Sequence, residues 1–179
     1  MNLENYKNRI KNNRKGKDIF FKQNFQSPIP QEERSNFLKL NYYDPDIKYS
    51  FELKLEEFTY KKKVKIEDTG GNLREFLKWG KFTFNVNGKT CFLNAYKSEE
   101  AETRLFIPFK DATNGKETYG AGRYLDLYEE RDYIEDRWIL DFNIATNPWC
   151  AYSHNYVCPL IPSENILKVE IKTGEKKYK

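Results

Sequence analysis

The sequence contains few of the residues on which several classes of protein depend. Its 179 residues include three cysteines, one histidine and one methionine. Three cysteines are too few for the disulfide framework of a small secreted domain, although they leave room for one pair. No apolar run approaches the roughly 20 residues that a membrane-spanning helix needs. The N-terminus, Met1–Asn5, lacks the basic start and apolar core of a secretory signal, so we expect a cytoplasmic protein without a membrane span.

An excess of one charge is missing as well. The chain has 31 basic and 27 acidic side chains, a formal net charge of +4, which mainly keeps a domain of this size soluble. Proteins that bind nucleic acid usually concentrate positive charge on one surface. The lysine-rich stretch at residues 61–65 has glutamates close by and is interpreted as the solvated face of a strand. The charge pattern therefore argues against a nucleic-acid partner.

Aromatic residues, in contrast, are abundant. They make up 16% of the chain and compensate for a hydrophobic fraction of only 39%, because each buried ring removes a large area from water. The length suits a single domain, 1–179, in which a helical N-terminal segment, 1–40, precedes a β domain, 41–179.

Helical spacing is confined to the N-terminal segment. Leu3, Tyr6 and Ile10 predict a helix over residues 2–24 that lies on the domain with its basic face in water. Two prolines then break this helix, and residues 31–37 are predicted to form a short second one.

From Tyr49 onwards, apolar and polar residues alternate with the period of a β-strand. The dipeptide Asn87-Gly88 lies between two such stretches and predicts a hairpin with a type I′ turn. The predicted strands cover 49–55, 58–66, 82–86, 89–96, 104–109, 123–127, 138–142 and 167–172. About eight or nine strands without strand–helix alternation predict a mainly β fold, an antiparallel β-sandwich or barrel with the N-terminal helix packed on it.

Polar, aromatic and cysteine residues are concentrated in a motif-rich part, residues 106–176. Three runs stand out there: PFKDATNGKETYGAGRYLDL, LDFNIATNPWCAY and CPLIPSENILKVEIKTGEK. These runs resemble domain-of-unknown-function family 1684 (DUF1684) of bacteria and archaea, and residues 42–46 and the N-terminal helix are similar too. The resemblance implies no activity, cofactor or catalytic residue. Some members carry lipoprotein-type signals, so the resemblance also allows an envelope location if the native N-terminus is longer.

The first candidate site residue is Arg123, which follows Gly120 and Gly122. Amide groups at a glycine turn can form an anion-binding nest, with the guanidinium as a clamp. Alternatively, the arginine forms a structural ion pair with Asp111 or Asp141. We favour the ion pair, because buried charges must be paired whatever the function.

Three polar residues, Asp111, Asp141 and Asn143, lie at predicted turns and strand ends. Asp111 begins an Asx-type turn, while Asp141 and Asn143 share one face of a strand. If the two carboxylates converge, they could act as the acid–base pair of a hydrolase or lyase. Capping of the turn and of the strand end is the favoured role.

The cysteine pattern Cys150-x3-His154-x3-Cys158 has residue types that suit zinc. Prolines flank the segment, so a helix that aligns all three side chains is not assured. A disulfide between the two cysteines, or two buried thiols, is favoured over a metal site. We therefore predict no metal and no cofactor. His154 is expected to be exposed to solvent, which argues against Cys–His catalysis.

The preferred functional interpretation is a non-catalytic domain that binds a small polar or anionic molecule, with Arg123 as its anchor. The predicted ligand-binding residues are Arg123, Tyr119, Asp111, Asp141, Asn143, Asn147 and Tyr152. Two alternatives stay open. One is a hydrolase or lyase that uses Asp111 and Asp141, and the other is a structural or protein-interaction domain with an exposed apolar patch. Nothing in the sequence indicates the oligomeric state.

Overall fold

The computed structural model describes residues 2–179 and is built mainly from β-strands. Its strands are β1 (Ser50–Leu53), β2 (Glu56–Glu67), β3 (Leu73–Val86), β4 (Lys89–Lys97), β5 (Arg104–Phe109), β6 (Arg123–Tyr128), β7 (Tyr133–Ile134) and β8 (Arg137–Asp141). Its α-helices are α1 (Leu3–Gln23) and the single turn α2 (Glu129–Asp132). Short 3-10 turns and loops connect these elements.

The strands described here form two antiparallel sheets. The larger sheet has the order β2-β3-β4-β5-β6 and the smaller has the order β1-β8-β7. Both sheets contribute to one core, in which Phe82, Leu93 and Leu105 of the larger sheet and Leu140 of the smaller sheet are fully buried. The sheets do not close into a barrel. The prediction of a mainly β, antiparallel fold with an N-terminal helix is confirmed.

In the central hairpin, the apolar residues of the alternating pattern in β3 are the ones that the fold buries. Phe82, Phe84 and Val86 of β3 are buried in the core, and the residues between them are not. At the turn into β4, Asn87 and Gly88 have φ angles of 50° and 80°, as a type I′ turn requires. The predicted hairpin is confirmed.

Helix α1 forms almost where the spacing predicts it. Asn2 caps the first turn, since its side-chain oxygen accepts a hydrogen bond from the Glu4 amide at 2.9 Å. Tyr6, Ile10 and Phe21 are buried against the rest of the protein. No helix within residues 2–179 is long and apolar enough to cross a membrane.

The basic face of α1 is placed differently from the prediction. Lys17 pairs with the buried carboxylate of Glu175 at 2.7 Å, and Arg14 donates to backbone oxygen atoms of two loops. The prediction that this face lies in water is therefore wrong for Arg14 and Lys17. They lie four and seven residues beyond Ile10, on the side of the helix that faces the sheets.

Residues 167–172 do not form the predicted strand. The Leu167 amide donates to the Lys110 carbonyl at 2.8 Å, and the Ala112 amide donates to the Val169 carbonyl at 2.9 Å. The alternating apolar side chains of this segment are buried in the core, but its backbone bonds to the loop after β5 instead of a neighbouring strand.

Two further differences concern short elements. The second helix predicted over residues 31–37 is only a 3-10 turn, Gln31–Glu33. The sequence patterns did not predict helix α2 or strand β7. For β7, the reason lies in the turn between β7 and β8. Glu135 and Asp136 adopt positive φ angles there, 50° and 63°, without the Asn-Gly or Asp-Gly sequence that usually marks such a turn.

Candidate functional site

Arg123 forms a fully buried ion pair at the start of β6. Its Nη2 donates to Asp111 Oδ2 at 2.8 Å, and both side chains have no exposed surface. The guanidinium also donates to the carbonyls of Thr173 at 2.5 Å and Ile171 at 2.9 Å, while its Nε has no partner. The favoured ion pair with Asp111 is present, and it leaves no surface of Arg123 open to a ligand.

The glycine before this arginine is required by close packing. Gly122 has a φ of +106°, and a Cβ on it would lie 2.7 Å from the carbonyl oxygen of Phe109 and 2.6 Å from the Ile161 side chain. Gly120 has no such constraint, because its surroundings leave ordinary van der Waals distances. The glycine turn allows β6 to lie close to β5. This close packing explains the glycine at position 122 without a bound anion.

Asp111 holds a tight turn as well as the arginine. Its Oδ1 accepts hydrogen bonds from the Thr113 amide at 2.9 Å and the Thr113 hydroxyl at 2.6 Å. The amide of Ile171 donates to the same oxygen at 3.2 Å. The predicted Asx-type turn is therefore present.

Asp141 and Asn143 lie together at the end of β8. Asp141 Oδ1 accepts from the Asn143 amide at 2.9 Å and from the Tyr6 hydroxyl at 2.9 Å. Arg9 lies 3.5 Å from its other oxygen. Among residues 2–179, Asp141 and Asp111 share no hydrogen-bond partner, and of the two only Asp141 lines the cavity described below.

A buried glutamate that the sequence patterns did not indicate holds Asn147 and Tyr152. Glu175 has no exposed surface and accepts hydrogen bonds from Asn147 Nδ2 at 3.1 Å and from the Tyr152 hydroxyl. Lys17 of α1 neutralises it. Burial, together with the neighbouring carboxylate, raises the pKa of Tyr152 well above its ordinary value. The predicted site residues Asn147 and Tyr152 thus bind a side chain of the protein itself.

The cysteine segment contains free thiols. The Cys150 amide donates to Cys158 Sγ at 3.3 Å, and the Tyr119 hydroxyl lies 3.9 Å from Cys150 Sγ. His154 is exposed. Among residues 2–179, no group of three or more His, Cys, Asp or Glu side chains is arranged to hold a metal ion.

A cavity lies between α1, the edge strand β6 and strand β8; we call it the α1 cleft. It has a volume of about 750 Å³. Asp141 and Asn143 are the two predicted site residues that line it. The other lining residues are Arg9, Ile10, Asn12, Asn13, Arg14, Gly16, Lys17, Tyr42, Tyr124, Asp126, Tyr128, Arg131, Asp132, Ile134, Ile139, Ile144 and Thr146.

Arg14 is the central cation of the α1 cleft. Its Nη1 donates to the Tyr43 carbonyl at 2.6 Å and its Nη2 donates to the Asn143 carbonyl at 3.3 Å. The guanidinium carbon lies 4.5 Å from the centre of the Tyr42 ring. Its Nε and the Tyr42 hydroxyl are both buried without a hydrogen-bond partner. Burial lowers the pKa of Arg14, so its charge is poorly solvated.

The other cations around Arg14 form ion pairs, whereas Arg14 forms none and interacts with Asp44 and Asp141 only over a longer distance. Each of the other basic residues that line the cleft has a carboxylate partner in the described part of the chain, and the carboxylate of Asp126 is paired with Arg104. These pairs are Arg9–Asp141 at 3.5 Å, Lys17–Glu175 at 2.7 Å, Arg131–Asp132 at 2.7 Å and Arg104–Asp126 at 3.0 Å. No carboxylate of residues 2–179 forms an ion pair with Arg14. The sequence signal that could have indicated Arg14 is its position four residues after Ile10, on the buried face of α1.

Comparison with known proteins gives a family and a structural neighbour. The chain matches the family described as Protein of unknown function (DUF1684) over residues 35–176. No functionally curated protein matches it. The solution NMR structure of an uncharacterized protein of Haloarcula marismortui, from gene locus rrnAC0354, is similar to it with a TM-score of 0.73 and 36% sequence identity, over 97% of this chain and 95% of that chain. Since the family match spans most of the sequence, including the whole motif-rich part, the chain belongs to the DUF1684 family.

Proposed function

We propose that this protein is a non-catalytic binding domain for a small polar anion, and that the α1 cleft is the binding site. The observation that carries the proposal is the guanidinium of Arg14, which is partly buried in the cleft and has no carboxylate partner. A desolvated charge is costly unless it is paired. A carboxylate or phosphate group of a ligand would provide the missing partner through charge-assisted hydrogen bonds.

The surroundings of Arg14 fit a ligand with one acidic group and a polar body. The Tyr42 hydroxyl is available as a donor beside the guanidinium, and the Asn143 side chain lies at the same wall. Ile10 and Ile144 supply apolar walls. Small-molecule sites commonly combine apolar walls with a few polar groups that fix orientation.

The other predicted ligand-binding residues are proposed to have supporting roles. Arg123 and Asp111 satisfy each other in the interior, and Asn147 and Tyr152 hold the carboxylate that neutralises Lys17 of the cleft. Tyr119 contacts the cysteine segment outside it. The enzyme alternative based on Asp111 and Asp141 receives no support, since the two carboxylates occupy separate environments.

The proposal is tested by calorimetric titration with inorganic phosphate, citrate, ribose 5-phosphate and AMP. At least one of these anions is expected to bind the wild-type protein, and Arg14→Gln should weaken that binding roughly 10- to 100-fold because a charged hydrogen bond is lost. The matched control is Lys15→Gln, which removes one positive charge from an exposed position next to Arg14. It should leave the dissociation constant unchanged apart from a small change that salt abolishes.

A second variant separates binding from folding. Tyr42→Phe removes a buried hydroxyl that has no partner in the protein, so thermal stability should stay equal or rise slightly, whereas anion binding should weaken. Equal weakening by Arg14→Gln and Lys15→Gln would identify non-specific charge attraction and refute the site. Absence of binding by every anion would favour the alternative of a structural or protein-interaction domain.

A further inference from the structure

Two thiols outside the α1 cleft have no part in the proposed function. Cys150 lies in the 3-10 turn Trp149–Ala151 and is half-buried, and the buried Cys158 follows eight residues later. The third cysteine, Cys91, lies in β4, where its thiol donates to the Lys89 carbonyl at 3.6 Å. Cys91 is therefore engaged elsewhere, and the other two form a separate pair.

Backbone hydrogen bonds hold the two cysteines of this pair together. The Cys150 amide donates to Cys158 Sγ at 3.3 Å. Cys158 is itself fixed to the loop after β2, because its amide donates to Thr69 Oγ1 at 3.0 Å and its carbonyl accepts from the Thr69 amide at 2.9 Å. The backbone of Cys150 therefore lies against the sulfur of Cys158 in the reduced chain.

The surroundings favour negative charge on Cys158. The hydrogen bond from the Cys150 thiol lowers the pKa of Cys158; burial opposes this, and the backbone amides of Cys150 and Trp149 and the charge of Arg74 act with it. The hydrogen bond to Cys158, together with burial, raises the pKa of Cys150. The Cys150 amide also donates to Cys158 Sγ, which favours the thiolate on Cys158, so Cys150 is the member that keeps its proton. The thiolate, not the thiol, is the nucleophile in sulfur chemistry.

We infer that Cys150 and Cys158 form a peroxide-sensitive modification site, in which Cys158 is the nucleophile and Cys150 is the resolving thiol. The Cys158 thiolate attacks one oxygen of hydrogen peroxide, the O–O bond breaks, and the departing hydroxide takes up a proton to leave as water. The sulfur becomes a sulfenic acid. The Cys150 thiol then attacks that sulfur: the S–S bond forms, the S–O bond breaks, and the Cys150 proton leaves with the hydroxyl group as a second water. Two thiols are oxidised and one peroxide is reduced.

The test uses the full, reduced chain and one equivalent of hydrogen peroxide near neutral pH, followed by iodoacetamide. Intact mass should show the loss of two hydrogen atoms and a single alkylated cysteine. Peptide mapping should place the cross-link between Cys150 and Cys158 and the alkyl group on Cys91. This measurement needs no substitution, so it stands even if a variant folds poorly.

Three variants assign the roles of the two thiols. Cys150→Ser should stop the cross-link and leave a sulfenic acid on Cys158 that dimedone traps, whereas Cys158→Ser should give neither product. Cys91→Ser is the matched control and should form the cross-link as the wild-type chain does. The inference is overturned if all three thiols of the wild-type chain stay open to alkylation, or if the cross-link contains Cys91. A sulfenic acid trapped on Cys150 in the Cys158→Ser variant would reverse the assigned roles and overturn that part.

Discussion

At the scale of single residues, three buried carboxylates tie the C-terminal segment and the end of β8 to the rest of the fold. Each of them meets a basic side chain from another part of the chain. The pairs are Asp111–Arg123 at 2.8 Å, Asp141–Arg9 at 3.5 Å and Glu175–Lys17 at 2.7 Å. An uncompensated buried charge costs several kcal/mol. Much of the polar density in residues 106–176 therefore follows from mutual pairing inside the protein.

The buried pair at Arg123 gives the clearest test of this structural role. Arg123→Met leaves the carboxylate of Asp111 in the interior without its cation, so the free energy of unfolding should fall by roughly 3–5 kcal/mol. Urea denaturation with an unchanged slope would measure this loss as a lower midpoint.

The control for that variant is an ion pair on the surface. Lys54 and Asp136 lie 2.6 Å apart, with side chains that are 66% and 68% exposed. Lys54→Met should leave the urea midpoint unchanged within error, because water and salt screen such a pair. If Arg123→Met were equally harmless, the assigned structural role would be wrong.

The ion pair of Arg123 can be predicted from the sequence, whereas the contacts of Arg14 cannot. The reason is physical. The need to pair a buried charge makes Asp111 a candidate partner for Arg123 from sequence alone. Arg14 lies in a polar run that resembles a solvated helix face. Its spacing from Ile10 indicates the buried face of α1, but its contacts with Tyr42 and with loops far away in the sequence are not contained in any local pattern.

At the scale of elements, hydrophobic alternation locates most strands but does not decide what their backbones bond to. Strand β5 is predicted with its exact limits, because it is a short apolar run and its neighbours β4 and β6 are available for pairing. Residues 167–172 alternate and bury Leu167, Val169 and Ile171, yet their backbone bonds to the loop after β5. Side-chain period reports burial, whereas strand pairing is a property of the tertiary fold.

The prediction at the scale of elements concerns Gly122, the turn glycine that precedes β6. Gly122→Ala forces a side chain into a positive-φ residue and against the carbonyl of Phe109, so β6 should be displaced from β5. We expect the free energy of unfolding to fall by roughly 2–4 kcal/mol. Thermal denaturation followed by circular dichroism would measure it.

The matched substitution is Gly16→Ala within α1. A Cβ at Gly16 meets nothing within 4 Å, and alanine is favoured over glycine inside a helix, so this variant should gain about 0.5–1 kcal/mol. Opposite signs for Gly122→Ala and Gly16→Ala are the expected result. A stabilised Gly122→Ala variant would show that the close approach of β6 to β5 is not required.

At the scale of the whole molecule, tyrosines link the two sheets, α1 and the loops. Thirteen of the residues are tyrosine, and burial is the main cause that raises the pKa of nine of them. Five of these nine are Tyr6, Tyr42, Tyr96, Tyr124 and Tyr152. They lie in α1, in the loop before β1, in β4, in β6 and in the cysteine segment. Ionising any of them requires that part of the molecule to open.

The stability of the whole chain should therefore collapse over a narrow alkaline range. A raised pKa in the folded state means that the stabilisation is complete below the unfolded pKa of about 10 and is lost as the pH rises above it. Each of the five tyrosines contributes at most about 1.4 kcal/mol per pH unit, which together would exhaust a stability of about 5–15 kcal/mol within roughly one to two units. Tyrosinate absorbance and circular dichroism should then change together in one transition, as expected if residues 1–179 form the single domain predicted from the sequence.

Tyr60→Phe, at a residue that is 80% exposed, should leave the midpoint of this alkaline transition in place, whereas Tyr152→Phe should shift it. Gradual ionisation of all thirteen tyrosines with the circular dichroism intact would show that ionisation of the buried hydroxyls does not open the fold.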